Sequence, residues 1–342
     1  MKIDSTQYLF SAIRTISVGK EKTIYVADAS DNTIRVYNKH GNFVKKIGRR
    51  GRGPGEFLQV TFLQKSDNGQ LIALDRFQNR VSFFDASGNF THSVSLGSET
   101  LGASHLFYQN KQGHFYLVRS DQTSEQNKSF LLHQYDQSLK EKQEEYIDAF
   151  EHFFDSSDPL QVRIAKVPIY KAALYGDNIA VVPGIYSGQI STFNTNNGSE
   201  KNLGQPVSNM VTLYDWDSRE KYRESDEVGF ASSSGQEGNF FFKRKGSSFG
   251  LIGNDKFLLY FYGIFDENQI IPYVDVYNSN GEFLKNIPLK NQPVSFISSD
   301  NKFSFVPHFL DEENNLYASD YYYKNSFPAV RVFKTNLNEL LE

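Results

Sequence analysis

Cysteine is absent from the 342 residues. That excludes disulfides, thiolate metal sites and a cysteine nucleophile. It leaves the compartment open, because disulfide-free folds occur in all of them. Long apolar runs are also missing: no window approaches the roughly 18 apolar residues that read as a bilayer-spanning helix. The opening residues Met1-Lys2-Ile3-Asp4-Ser5 hold no apolar signal-peptide core, so no leader is expected in the sequence as it stands. An excess of one charge is lacking too. Lys and Arg number 36 against 40 Asp and Glu, a formal net charge of −4. Nothing global drives the chain toward nucleic acid or an anionic membrane, and neither is expected as a partner.

What is present is aromatic. The 30 Phe and 20 Tyr, beside 2 Met and a single Trp, favour strands. They recur in a repeat. One copy reads Ile24-Tyr25-Val26-Ala27-Asp28, Ile34-Arg35-Val36-Tyr37-Asn38 and Gly41-Asn42-Phe43. The next reads Leu71-Ile72-Ala73-Leu74-Asp75, Val81-Ser82-Phe83-Phe84-Asp85 and Gly88-Asn89-Phe90, and the two superpose without a gap. The first run is nearly continuous in apolar residues, as for a strand packed on both faces. The second alternates and ends in an aromatic. A Gly turn with positive φ then leads into a fourth strand.

Four weaker copies follow, marked by strand-ending Tyr135, Phe193, Tyr277 and Phe333. Six copies of a four-stranded unit predict an all-β fold, a six-bladed β-propeller with one antiparallel sheet per blade. The whole chain is expected to form one domain, with blades near 8–57, 58–98, 103–150, 165–204, 246–290 and 303–342. Insertions are expected at about 148–168 and 204–246, read as loops despite their helix-compatible charge. The outer strand of blade six is short, either Asn338–Leu341 or a contribution from Lys2–Tyr8 that would close an open edge.

The residues Tyr25-Val26-Ala27-Asp28, Val36-Tyr37, Gly41-Asn42-Phe43, Ile47-Gly48 and the run Gly51-Arg52-Gly53-Pro54-Gly55-Glu56-Phe57 resemble an NHL repeat. The chain as a whole resembles six-bladed propellers of gut-dwelling bacteria, many of them exported lipoproteins. That resemblance implies a periplasmic or cell-surface location. It implies the fold strongly and the activity weakly, since such propellers include protein binders, RNA binders and lyases, and similar ones include metal-dependent lactonases.

Loop length points to a working face. The segments from the second strand to the strand-ending aromatic grow from Ile24–Tyr37 and Leu71–Phe84 to Phe115–Tyr135 and Phe257–Tyr277. These loops share a face with the blade crossings, whereas the other hairpins stay short. Long loops are commonly functional. Arg49 and Arg52 fall on the first crossing within the basic run Lys45, Lys46, Arg49, Arg50 and Arg52, and suit carboxylate, phosphate or sugar acid. Arg76, Tyr262 and Tyr321, with Tyr322 following, vary from blade to blade as a ligand-reading ring would, and Arg119, in the column one position earlier, is a further candidate ligand contact.

The leading expectation is a non-catalytic binding propeller for a peptide, glycan or partner protein, with no cofactor. The alternative is a metal-dependent hydrolase, lactonase or lyase holding a divalent cation such as Ca²⁺ in the channel. Its ligands would be the repeated acids Asp28, Asp75 and Asp320 with His308. A scaffold role is a third possibility. The seven histidines show no HxH or HExxH spacing. Gly246-Ser247-Ser248-Phe249-Gly250 has the form G-x-S-x-G but leads into a strand, not a strand-turn-helix elbow. The glycines of 51–55 lack the βαβ unit of a dinucleotide loop.

Overall fold

Antiparallel strands fall where the aromatic and β-branched runs lie. The computed structural model describes residues 10, 12–19, 21–66, 68–97, 103, 105–109, 113–120, 128–166, 170–225, 227, 229–235, 238–267, 269–289, 305–324 and 327–341. The chain divides into two compact units, one of residues 1–119, 132–146 and 303–342, the other of residues 120–131 and 147–302.

In the first unit, blade one is β1 (Ile13–Val18), β2 (Ile24–Asp28), β3 (Thr33–Tyr37) and β4 (Phe43–Ile47), in that sheet order. Blade two repeats it with β5 (Val60–Lys65), β6 (Leu71–Asp75), β7 (Arg80–Phe84) and β8 (Phe90–Ser95). Blade three is β9 (His105–Gln109), β10 (His114–Val118), β11 (Phe130–Tyr135) and β12 (Lys142–Asp148). All five residues of β2 and of β6 are buried, as their unbroken apolar runs require, whereas β4 and β8 are largely exposed.

The repeated Gly turn has a physical purpose. Asn38 Oδ1 accepts from the amides of His40 and Asn42, and Gly41 takes φ 83°. A bulge then rotates Phe43 edge-on against Tyr37, with ring centroids 5.8 Å apart. Phe90 meets Phe84 in the same way at 5.9 Å, and in blade five Phe283 meets Tyr277 at 5.7 Å. The strand-ending aromatic and the Phe after the Gly are therefore one interlocked pair.

In the second unit, helices α1 (Ala149–His152) and α2 (Pro159–Ala165) occupy the first insertion. Blade four is β13 (Tyr170–Tyr175), β14 (Asn178–Pro183), β15 (Gln189–Asn194) and β16 (Glu200–Gly204). The expected loop at 204–246 is instead a seventh sheet, in the order β17 (Val211–Tyr214), β19 (Gly238–Arg244), β18 (Phe230–Gly235), with helix α3 (Arg219–Arg223). Tyr214, Tyr222, Phe230 and Phe241 form its small aromatic core, with Tyr222 stacked on Phe230 at 4.3 Å. Trp216 has no part in this core, and Arg219 lies 4.6 Å from its ring centre. Blade five is β20 (Gly246–Gly253), β21 (Phe257–Asp266), β22 (Gln269–Asn278) and β23 (Phe283–Pro288).

Blade six returns to the first unit with β24 (Phe305–Leu310), β25 (Asn315–Lys324) and β26 (Phe327–Asn336). The extra length in blades five and six is strand, not loop: β21, β22, β25 and β26 each run 10 residues. In blade six, β26 continues past Phe333 to Asn336, so Phe333 does not end the strand. Asn338–Leu341 is not a strand either, because helix α4 (Leu337–Leu341) follows β26 directly. Lys2–Tyr8 lie outside the described residues, but Phe10 bridges Val330, whose amide donates to the Phe10 carbonyl at 3.1 Å.

The last strand of blade three contains a strained residue near its end. Ile147 is buried and has φ 58°, which a β-branched side chain rarely adopts. Its amide donates to Glu200 Oε1 at 3.0 Å. The second oxygen of Glu200 lies 2.8 Å from His152 Nε2, and His152 Nδ1 lies 2.8 Å from Asn202 Oδ1. Desolvation works against the charged imidazole, but the hydrogen bonds to Glu200 and Asn202, with the nearby charge of Glu151, raise its pKa. The His152 contact lowers that of Glu200, against its own desolvation. A raised histidine pKa adds stability that is complete below about 6.5 and fades as pH rises through the folded-state value. The depressed Glu200 adds stability that is complete above about 4.3 and fades on acidification. The clasp is therefore strongest near pH 5–6. His152→Gln is expected to flatten the fall in stability between about pH 6 and pH 8, and parallel profiles of wild type and variant in urea titrations would refute the clasp.

Candidate ligand-binding face

Asp75 ends β6 fully buried. Its Oδ1 accepts from the amides of Gln59, Phe77 and Gln78 at 3.1–3.2 Å, and its Oδ2 from the Leu58 amide and Gln78 Nε2 at 2.7 Å each. One carboxylate thus ties the turn after β6 to the crossing from blade one. Arg80, its ladder partner at the start of β7, ties the crossing again. The guanidinium donates to the carbonyls of Arg52 and Gly53 at 3.0 Å and to that of Glu56. Gln78 Nε2 also reaches the Glu56 carbonyl at 3.0 Å.

Within the crossing, Glu56 Oε2 accepts from the Gly53 amide at 2.8 Å and Oε1 from Arg49 Nε at 2.6 Å. The Gly53 amide and then Arg49 hold its carboxyl below the usual range. A Cβ on Gly51 would sit 2.0 Å from Glu56 Oε2, so the carboxylate fills the space that this glycine leaves. Phe57 closes the loop. Its amide donates to the Arg49 carbonyl at 2.8 Å, and its carbonyl accepts from the Gly51 amide at 3.0 Å. Its ring is fully buried among Val36, Ile47, Val60, Ala73 and Phe84. Gly48, at φ 71°, lets that ring approach to where a Cβ would meet it at 2.4 Å.

This braced double loop displays Arg49, Arg50, Arg52 and Arg76, all exposed, together with Phe77 at 68% exposure. Arg49 is engaged by Glu56, whereas the guanidiniums of Arg50, Arg52 and Arg76 have no acidic partner among the described residues. The neighbouring lysines of the basic run are committed: Lys45 to the Ser87 carbonyl and Lys46 to Asp31 at 2.7 Å. Three free, planar guanidiniums beside an exposed phenyl ring can bind carboxylate or phosphate while stacking against an apolar face.

The other expected site residues fall elsewhere. Tyr262 is 6% exposed and packs within blades four and five, stacked at 4.3 Å on Tyr186 and at 5.5 Å on Tyr273. Its hydroxyl donates to Asp275 at 3.3 Å and accepts from Asn286 at 2.9 Å. Burial and then the Asp275 charge push its pKa far up, so the phenol stays neutral. It is a packing residue, displaced from a ligand-reading position by the apolar cluster around it. Arg119 is buried just past β10. Tyr321 and Tyr322 lie on β25 opposite Val330 and Ala329, and their side chains fall outside the described part.

The four alternative metal ligands do not converge. Asp75 is saturated by N–H donors. Asp28 accepts from Ser30 N at 2.9 Å and Ser30 Oγ at 2.7 Å and lies 3.4 Å from Arg35 Nε. Asp320 is buried on its own ladder, and His308 Nε2 meets Ser319 Oγ at 2.8 Å. Among the described residues, no three of His, Asp and Glu are grouped to hold a cation. Asp28 and Asp75 are turn-binding groups, the role Asp side chains take when backbone amides converge on them. Likewise Ser248 of the G-x-S-x-G run lies inside β20, its hydroxyl 2.7 Å from that of the buried Tyr260.

Sequence reasoning missed Phe77 and the braces Glu56, Gln78 and Arg80. A signal existed for the last: Arg80 opens β7 opposite Asp75, as a repeat register would place it.

Residues 5–179 match the sequence profile of the 6-bladed beta-propeller family DUF5128. The chain belongs to this family. Six of its seven sheets follow the blade order, so this DUF5128 chain is an all-β, six-bladed propeller. Among solved structures it is similar to a protein of Bacteroides fragilis designated as exported, at TM-score 0.59 and 14% identity, covering 98% of this chain and 94% of the other. It is also similar to a DUF4221 member from Bacteroides vulgatus, at TM-score 0.56 and 9% identity, covering 96% and 93%. At these identities the likeness is one of fold. No curated protein matches the sequence.

Proposed function

We propose that this DUF5128 propeller is a non-catalytic binding protein that captures an anionic partner, a carboxylate-bearing peptide or glycan, on the loops of blades one and two. One observation carries the reading: Arg50, Arg52 and Arg76 stand unpaired on loops whose backbone is fixed by Asp75, Arg80 and Glu56. Pre-ordered loops lower the entropic cost of binding. The net charge of −4 does not oppose this, because a local cluster dominates the field that a ligand meets. Phe77 supplies an apolar contact beside the charges. The Bacteroides fragilis protein designated as exported supports a location outside the cytoplasm.

The test immobilises poly-glutamate, polygalacturonate and neutral dextran and measures binding by interferometry at roughly 0.05 M and roughly 0.5 M salt. Wild type is expected to bind an acidic polymer and to weaken in salt. The triple variant Arg50→Ala, Arg52→Ala, Arg76→Ala is expected to lose about tenfold or more, since each guanidinium–carboxylate contact is worth about 1 kcal/mol or more. Unchanged binding by the triple variant would remove the site, and preference for dextran would remove the ligand class.

A further inference from the structure

Lys171 is a basic residue in the wrong surroundings. It lies on β13, the first strand of blade four, opposite Val182. Strand alternation puts it on the same side as Ala173 and Tyr175. Those two, with Val182, belong to an apolar cluster that includes Leu251, Leu258, Tyr260 and Tyr262. The amine has no hydrogen-bond acceptor and no carboxylate partner among the described residues. Other half-buried lysines are held: Lys22 by Glu313, Lys243 by Glu227, and Lys65 by the Gly69 carbonyl and the Tyr25 ring. Burial alone depresses the Lys171 pKa, with no compensating charge. Yet part of the residue stays exposed.

An unpaired ammonium against an apolar wall is unfavourable, and the neutral amine is the form that the wall favours. A neutral, desolvated lysine amine is a nucleophile toward carbonyl carbon. We propose that Lys171 is a reactive amine site that forms an imine with small apolar aldehydes. The Nζ lone pair adds to the carbonyl carbon, a proton passes from nitrogen to oxygen, and the carbinolamine then expels water to leave C=N. Amine and aldehyde give imine and water, with no change in oxidation state. The aldehyde is apolar because the cluster offers a carboxylate no second cation.

The experiment treats the intact protein with benzaldehyde and borohydride, which reduces any imine to a stable secondary amine, and locates adducts by peptide mass spectrometry. Lys171 is expected to be labelled roughly tenfold faster than the median exposed lysine near neutral pH, and the excess is expected to shrink toward about pH 10 as all amines deprotonate. Lys171→Met, apolar and of similar length, is expected to lose that adduct alone. Labelling spread over exposed lysines with Lys171 at or below the median would overturn the proposal. Preference for pyruvate over benzaldehyde would overturn the apolar assignment.

Discussion

Asp75→Ala is expected to destabilise the protein by about 3–5 kcal/mol, since buried donors that lose a charged acceptor cost about 1–3 kcal/mol each and add incompletely. The carboxylate is fully buried and accepts from four backbone amides and one side-chain amide. Two of the backbone donors, at Leu58 and Gln59, belong to the end of the crossing, and two, at Phe77 and Gln78, to the turn after β6. Hydrogen exchange should therefore rise at both segments together in the variant. Asp75→Asn keeps one oxygen but aims an amide at amide donors, so an intermediate loss is expected. Urea titration checks the magnitude. A loss under about 1 kcal/mol, the ordinary value for a point mutation, would mean that the two loops are held by something else.

Phe57→Ala is expected to cost about 3–5 kcal/mol as well, by a different route. The ring is fully buried and fills the space between blades one and two, 5.9 Å from Phe84. Removing it leaves a cavity lined by Val36, Ile47, Val60 and Ala73, side chains too short to close it. It also removes the plug that Gly48 was kept small to admit. Thermal unfolding measures the loss. If the basic loops are the binding surface, affinity for the acidic polymer should fall in this variant although no contacting side chain has changed. Full affinity in a destabilised Phe57→Ala protein would show that the frame does not need its plug.

The blades were legible because their determinants are local. Ile24–Asp28 and Leu71–Asp75 are apolar without interruption, and each Gly turn is flanked by the aromatic pair that locks it. The sheet of the second insertion is not legible in the sequence, because the residues that make it, Tyr214, Phe230 and Phe241, are far apart and surrounded by charge and serine. The lengthened hairpin of blade five reads as a loop in the sequence because a count of residues does not distinguish a loop from a strand that continues. At the candidate site, the basic residues were visible as composition. Their freedom from partners was not, since it depends on Glu56 choosing Arg49, and on Asp31 choosing Lys46. Tyr262 shares a column with the exposed Arg76 yet turns inward, because Tyr186 arrives against it from the loop after β14.

The pairing of Phe10 with Val330 has a consequence for how the protein is made. On a ribosome adding about 5–20 residues per second, the early strand partner waits some tens of seconds for the late one to emerge. Throughout that interval β26 does not exist, and the backbone at Phe10 presents an unused hydrogen-bonding edge. Synthesis thus leaves blade six as the last seam to close, and any second nascent chain on the same message carries the same open seam. A new break in the chain at the exposed turn near residue 267, with the old ends joined by a short linker, would let residue 10 and residue 330 be made one after the other and shorten that exposure from most of the translation time to a small part of it.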